Sequence, residues 1–203
     1  MIPDEIAVDV LPQALRLAHC EVSGLRQCEV DDIPAEGTIR AYELTNQGLE
    51  ILQRNAKLVG EWEDLFSWWY VTFNRFVNVN TEIQYNGRHK DRKSKVSRLT
   101  KRESFHFQRA LYRIMLVSWL YGMGSIPESD MQDEHYPYTF YEVYQSRQTN
   151  FLMKYPSDDL FEINRIARIL IYTATIAMGE AVYQRHICEW IFVLQRIAIS
   201  ISL

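Results

Sequence analysis

The chain has 203 residues, of which 47% are hydrophobic, 13% aromatic and 24% charged, and its formal net charge is −4 at pH 7. This composition is that of a soluble globular protein, and it excludes a disordered chain. The length is sufficient for one domain with a substantial core.

The first half of the chain is predicted to be helical with one loop. Residues 4–22 form a helix that we expect to break at Pro12, and residues 23–37 contain acids, Pro34 and two glycines typical of a loop. Helical spacing of apolar residues predicts one helix over 44–59 and a second over 60–80. We expect an N-terminal helical element at 1–37 and a helical domain at 38–203 with a basic loop at 87–99.

The second half contains the clearest helix signals. Thr100-x-x-Glu103 is a capping box that starts a central helix near 100–122, and Gly122, Gly124 and Pro127 are typical of its end. Residues 114–121 are apolar nearly all round, so other helices should enclose them. A second capping box at Thr139 predicts a helix toward Met153, followed by helices from Leu160 to about Tyr183 and from about Ile187 onward. We therefore predict an all-α fold, an irregular bundle of about six or seven helices.

A basic segment leads into the central helix. Between Arg88 and Glu103 there are eight Lys or Arg residues and two acidic ones, and the rest of the chain is acidic. On the helix, spacing of i, i+4, i+7 and i+11 predicts one polar face. The candidate residues for binding by charge are Arg92, Lys93, Lys95, Arg98, Arg102, His106, Arg109 and Arg113.

This basic surface has several interpretations. It could bind an acidic protein partner or serve as a nuclear import signal, it could bind nucleic-acid phosphates, or it could be a solvated loop followed by an ordinary polar face. The acidity of the whole molecule and the lack of a recognised nucleic-acid motif count against nucleic acid.

Aromatic residues supply a second candidate surface. Those at 62–76 follow helical spacing and are more typical of a core than of a ligand site. Trp68, Trp69 and Tyr70 exceed what one buried face needs, and Trp and Tyr are enriched in binding hot spots. We therefore include these three as candidate partner-binding residues.

No motif predicts a metal, a cofactor or a catalytic group. Residues 158–162, DDLFE, resemble the DDxxD/E magnesium motif of terpenoid synthases, but acids are also favoured at a helix start. The pairs His186/Cys188 and His19/Cys20, with Cys28, lack the spacing of zinc ligands. We expect no metal, no cofactor and no enzyme activity, although dispersed residues could still converge into a catalytic site.

Two short segments resemble a known family. Ile2-Pro3-Asp4-Glu5-Ile6 is similar to the LPxE[IL] opening of an F-box, and residues 99–113 resemble a helix of F-box-like proteins of filamentous fungi. The resemblance implies a helical fold and binding to a Skp1-type adaptor of ubiquitin ligases, with Ile2, Pro3 and Ile6 as contacts. After Val10 the sequence departs from the F-box pattern.

Compartment and function follow from these features. Three cysteines without CxxC spacing favour a reducing compartment, the acidic N-terminus does not resemble a signal peptide, and no apolar run has the length of a membrane span. We expect a nuclear or cytoplasmic protein without a membrane segment.

The leading hypothesis is a non-catalytic helical interaction module, a subunit or adaptor that binds a protein partner or forms a homo-oligomer. The alternatives are nucleic-acid binding through residues 88–113 and an enzyme with a dispersed site.

Overall fold

Helices form all the regular structure in the part of the chain that the structure describes. The computed structural model describes residues 8–26, 30–40, 44–76, 99–122 and 146–178. Its α-helices are α1 (Leu11–Val22), α2 (Asn46–Phe76), α3 (Lys101–Tyr121), α4 (146–152) and α5 (Ser157–Met178), with short 3₁₀ helices at Val8–Val10 and Val30–Asp32. No strand occurs in these ranges. The predicted all-α class is confirmed, and the count of six or seven helices stays a prediction.

The predicted start and end of α3 are confirmed in atomic detail. The Thr100 hydroxyl accepts from the amide of Glu103 at 3.2 Å, and the Glu103 carboxylate accepts from the amide of Thr100 at 2.7 Å. At the other end, the amide of Gly122 donates to the Ser118 carbonyl at 2.9 Å. A Cβ at residue 122 would lie only 2.3 Å from that carbonyl oxygen, so this close approach requires glycine.

The predicted boundary at Gly60 is wrong. Helix α2 runs without interruption from Asn46 to Phe76, because a single helical glycine costs only about 1 kcal/mol and packing can outweigh it. The buried residues Leu52, Ala56, Val59 and Phe66 continue in helical spacing past Gly60. One helix therefore replaces the two that the apolar pattern indicated.

The predicted break lies next to Pro12 rather than at it, because the chain changes from a 3₁₀ helix at Val8–Val10 to an α-helix that begins at Leu11. Pro12 lies in the first turn of α1, after the 3₁₀ helix Val8–Val10, where the missing proline amide leaves no helical hydrogen bond unmade. Helix α1 contacts both α2 and α3, and Ala14, Leu17 and Ala18 are fully buried. The first helix therefore shares the core of the following helices.

The core surrounds α3, as expected. Ile114, Val117 and Leu120 are inaccessible to solvent. Phe107 stacks on Phe66 of α2 with ring centroids 4.5 Å apart, and Tyr121 contacts Phe151 of α4 at 5.9 Å. The high aromatic content thus contributes directly to packing between helices.

Helix α5 begins earlier than predicted, at Ser157 rather than Leu160. The predicted end of this helix near Tyr183, the last helix from Ile187 and the capping box at Thr139 lie outside the described residues. Among the helices that the structure describes, none combines the length and the apolarity that crossing a membrane requires.

Substitution by alanine should change the free energy of unfolding in opposite directions at Gly60 and Gly37. A Cβ at Gly60 or at Gly37 would meet no atom within 4 Å, but Gly37 has φ +80° whereas Gly60 is helical. Gly60→Ala should raise the free energy of unfolding by about 0.5–1 kcal/mol, since alanine is the better helix former.

Gly37→Ala should lower the free energy of unfolding by about 1 kcal/mol, because positive φ is unfavourable for alanine. Urea unfolding of both variants against wild type measures the two effects. Destabilisation by Gly60→Ala would contradict the continuity of α2.

Candidate functional site

The polar face predicted on α3 does not form one open basic surface. Arg102 is exposed and His106 is half-buried, but Arg109 and Arg113 lie against acidic residues of other elements. These two arginines therefore have acidic partners within the chain, and the binding of a partner by this face stays a prediction. The sequence shows that the four residues share a face, but not that carboxylates of α5 and of the 30–40 loop approach that face.

Arg113 is the most buried of these cations, with only 5% of its side chain exposed. Its Nε and Nη2 donate to the two carboxylate oxygens of Glu36 at 2.8 and 2.9 Å. Its Nη1 lies 3.0 Å from Oδ2 of Asp159. The guanidinium also lies over the ring of Tyr155, 4.6 Å from the centroid. Such two-pronged geometry is characteristic of strong arginine–carboxylate pairs.

Helix α1 adds two further partners to Glu36. Gln13 Nε2 donates to Glu36 Oε2 at 2.7 Å, and Arg16 Nη1 lies 3.8 Å from Oε1. Arg16 also donates to the hydroxyl of Tyr155 at 3.0 Å. Through Glu36 and Tyr155, α1 is therefore connected both to α3 and to the turn that precedes α5.

These contacts change the pKa values of two acidic groups. Burial alone would raise the pKa of Glu36, but the hydrogen bonds and charge of Arg113, with help from Gln13 and Arg16, hold it below its usual value. Burial raises the pKa of the Tyr155 phenol to about 12, even though the charges of Arg16 and Arg113 oppose the change. Glu36 is thus kept ionised and Tyr155 is kept neutral.

The contacts continue along α3 toward its N-terminus. Arg109 Nη2 lies 2.5 Å from Oδ1 of Asp159 and 3.1 Å from Oε2 of Glu162. His106 Nδ1 lies 2.5 Å from Oε1 of Glu162. We use the name ion network for the connected set Gln13, Arg16, Glu36, Arg113, Asp159, Arg109, Glu162 and His106.

The acidic start of α5 therefore has a role that sequence reasoning missed. Asp158 and Asp159 lie in its first turn, as the helix-start interpretation expected. Asp159 and Glu162, however, are paired with the cations of α3. No group of three possible metal ligands exists among the described residues, and within that part the DDLFE segment does not gather a metal site.

A small cleft opens at the His106 end of the ion network. It has a volume of about 140 Å³ and is lined by Phe66, Leu99, Glu103, His106, Phe107, Glu162, Arg165 and Ile166. Ligand pockets for drug-sized molecules have volumes of about 300–1,000 Å³, so this cleft is smaller than such pockets. It joins apolar walls to one end of a charged network.

Another buried polar cluster was missed by the sequence analysis. Glu63 of α2 is only 2% exposed, and its Oε2 accepts from Ser104 Oγ at 2.8 Å and from Gln108 Nε2 at 2.6 Å. The available signal was an acidic residue within the apolar spacing of Val59 and Phe66. This cluster links α2 to α3 through hydrogen bonds inside the core.

The other candidate residues have less structural detail. Trp68, Trp69 and Tyr70 lie on the backbone of α2, while their side chains are outside the described part of the chain. Cys20 is buried in α1 and is not in a disulfide. Several candidates lie outside the described residues altogether: Ile2, Pro3, Ile6, Cys28, Arg92, Lys93, Lys95, Arg98, His186 and Cys188.

Removing Arg113 should be strongly destabilising. Arg113→Met keeps most of the side-chain volume but leaves Glu36 and Asp159 without their shared cation, and loss of one partner from a buried ion pair costs about 3–5 kcal/mol. Arg102→Met, on the exposed side of the same helix, is the matched control and should change stability by less than about 0.5 kcal/mol. Equal midpoints of chemical denaturation for the two variants would contradict the structural role of Arg113.

Acid should weaken the contribution of Glu36. The pKa of Glu36 in the folded protein is below its usual 4.5, so between these two values the unfolded chain binds a proton that the folded chain does not. The stabilisation is present above pH 4.5 and is lost as the pH falls through the folded pKa. The difference in unfolding free energy between wild type and Glu36→Gln should therefore narrow below pH 4.5.

Urea unfolding between pH 7 and pH 3 measures this difference. Glu50→Gln, which removes one exposed acid from α2, is the matched control for the loss of a carboxylate. A difference between wild type and Glu36→Gln that is constant with pH would exclude the ion-paired state of Glu36.

No protein-family model matches the sequence, and neither the curated proteins nor the solved structures give a significant match. The resemblance to F-box-like proteins depends on the motifs quoted above and stays a prediction.

Proposed function

We propose that the chain is a non-catalytic helical protein-interaction module, a subunit or adaptor of a larger nuclear or cytoplasmic assembly. The observation that carries this proposal is an apolar stripe on α2 that runs from residues packed against the core to an exposed residue. Leu58 and Trp62 are half-buried against the core, and Leu65, one turn later, is 42% exposed. Trp68 and Trp69 follow Leu65 by three and four residues, the spacing of neighbours on a helix.

An exposed aromatic residue on α5 supports the same proposal. Phe161 of α5 is 68% exposed, although α5 places Ile163, Ala167 and Leu170 in the core. Large exposed apolar side chains gain most when a partner covers them, and Trp and Tyr are enriched in binding hot spots. The proposed partner is therefore another protein or a second copy of this chain.

The ion pairs of α3 weaken the nucleic-acid alternative. Arg109 and Arg113 are already paired with Asp159, Glu162 and Glu36, so binding a phosphate would require breaking these contacts. Charge-based binding then depends on the residues before the ion network: Arg92, Lys93, Lys95, Arg98 and Arg102. An acidic segment of a protein partner fits this smaller basic group as well as nucleic acid does.

The F-box resemblance suggests one specific partner. A Skp1-type adaptor would contact Ile2, Pro3 and Ile6 if the opening motif acts as it does in that family. An adaptor would then hold the N-terminal end while α2 presents its apolar stripe to another protein. A catalytic function would need dispersed residues to converge.

A quantitative pull-down tests the proposed surface. The triple variant Leu65→Ala/Trp68→Ala/Trp69→Ala should reduce recovery of the bound partner at least tenfold, since hot-spot side chains each contribute about 2 kcal/mol or more. The matched control is Lys57→Ala/Glu61→Ala, which removes an exposed i, i+4 ion pair from the same helix and should retain the partner.

Circular dichroism of each variant verifies that the helices persist. A partner retained equally by both variants would refute the surface on α2. Purified Skp1 forms a separate arm of the experiment, in which Ile2→Ala/Ile6→Ala should abolish binding if the F-box interpretation is correct.

A further inference from the structure

The carboxylate of Glu36 occupies a site whose donors belong to two helices. Gln13 Nε2 of α1 donates to it at 2.7 Å, and Nε and Nη2 of Arg113, on α3, donate at 2.8 and 2.9 Å. Arg16 of α1 brings a second guanidinium to within 3.8 Å. Because α1 and α3 pack against each other, helix packing sets the positions of these donors. We use the name arginine site for Gln13, Arg16 and Arg113.

The carboxylate is the outer member of this arrangement. The side chain of Glu36 is 21% exposed, whereas the side chains of Arg16 and Arg113 are 9% and 5% exposed. Solvent therefore reaches the arginine site from the side of the anion, and the two cations form its inner wall. A second carboxylate would approach the arginines along the path that Glu36 occupies.

Arg16 has donors that Glu36 does not use. Its Nη1 is too far from the Glu36 carboxylate for a hydrogen bond and donates instead to the Tyr155 hydroxyl at 3.0 Å. Its Nε is buried and has no hydrogen-bond partner among the described residues. A buried donor of a charged group is costly to leave unpaired. The arginine site therefore has donor capacity beyond its present occupant.

The charges around Arg113 favour a carboxylate as the ligand. Asp159 Oδ2 lies 3.0 Å from Nη1 of Arg113, so one negative charge is already beside the guanidinium. A phosphate dianion in place of Glu36 would repel Asp159 more strongly than a singly charged carboxylate does. The fork of Nε and Nη2 also matches the two oxygens of a carboxylate.

The 30–40 loop holds Glu36 between two small apolar anchors. Ile33 and Ile39, three residues before and three after Glu36, are buried, and five of the ten side chains at 31–40 are exposed. Segments with few buried apolar residues open at a lower free energy than packed helices do. Opening of this loop therefore need not disturb the contact between α1 and α3.

We propose that the arginine site binds an acidic segment of a partner protein, whose glutamate replaces Glu36 while the 30–40 loop opens. The exchange preserves the two-pronged pair with Arg113, so no buried charge loses its partner. The loop itself gives the pattern expected in the partner, a glutamate with an apolar residue three positions before and three after it, as Ile33 and Ile39 flank Glu36. The arginine site uses no residue of the apolar stripe on α2, so either proposal can fail alone.

Titration of the wild-type chain with a peptide that copies residues 31–39 tests the exchange. The chain's own loop competes at an effective concentration in the millimolar range, so half-saturation should need about 1–10 mM peptide. In NMR spectra the amide signals of Gly37 and Thr38 should move to the positions of an open loop, whereas the Nε–H signal of Arg113 should keep its hydrogen-bonded position. The same peptide with glutamine in place of its glutamate should change neither.

Glu36→Ala removes the internal competitor and should bind the peptide at least tenfold more tightly than wild type does. The matched control is Glu21→Ala, which removes another carboxylate of the ion-paired kind, one that accepts from Asn55 at 2.7 Å and pairs with Arg54. This control should bind the peptide as weakly as wild type does. Unchanged loop signals of wild type at about 10 mM peptide, or equal binding of the glutamate and glutamine peptides, overturn the proposal, and the wild-type titration needs no variant to fold.

Discussion

Arg113 and its two carboxylates constrain the arrangement of the whole described core. A guanidinium with 5% exposure is stable there only because Glu36 and Asp159 neutralise it and satisfy its donors. Glu36 comes from the loop after α1, and Asp159 comes from the first turn of α5. The apolar contacts of α3 hold the helices together. The buried charge of Arg113, however, requires the 30–40 loop and α5 to place Glu36 and Asp159 beside it.

The spacing of the ion network makes that requirement specific. Asp159 lies between Arg109 and Arg113, one turn apart on α3, and Glu162 lies between His106 and Arg109. Sliding α5 by one turn along α3 would keep apolar groups in contact but would separate these pairs. Apolar packing tolerates rearrangement, whereas buried charges do not, so we infer that the network selects one alignment of the two helices.

The elements that the sequence predicts well are those decided locally. The capping box at Thr100, the end at Gly122 and the apolar middle of α3 depend on neighbouring residues, and the structure has them as expected. Gly60 was misjudged because packing carries α2 through it. The break predicted at Pro12 lies instead at Leu11, since the first turn of an α-helix accommodates proline. The candidate site was predictable only in part. One-dimensional spacing groups His106, Arg109 and Arg113 on a face, but their partners Glu36, Asp159 and Glu162 are brought there by the tertiary fold.

The distances along the chain that the ion network joins also affect how the protein folds. Glu36 and Arg113 are separated by 77 residues, and Arg109 and Asp159 by 50. Helices α2 and α3 have local signals and can begin to form without these contacts, whereas each ion pair must first close a long loop. Pairing at Arg113 should therefore follow the docking of the helices and act mainly on the rate of unfolding. We therefore expect the ion network to form late in folding and to slow the unfolding of the assembled core.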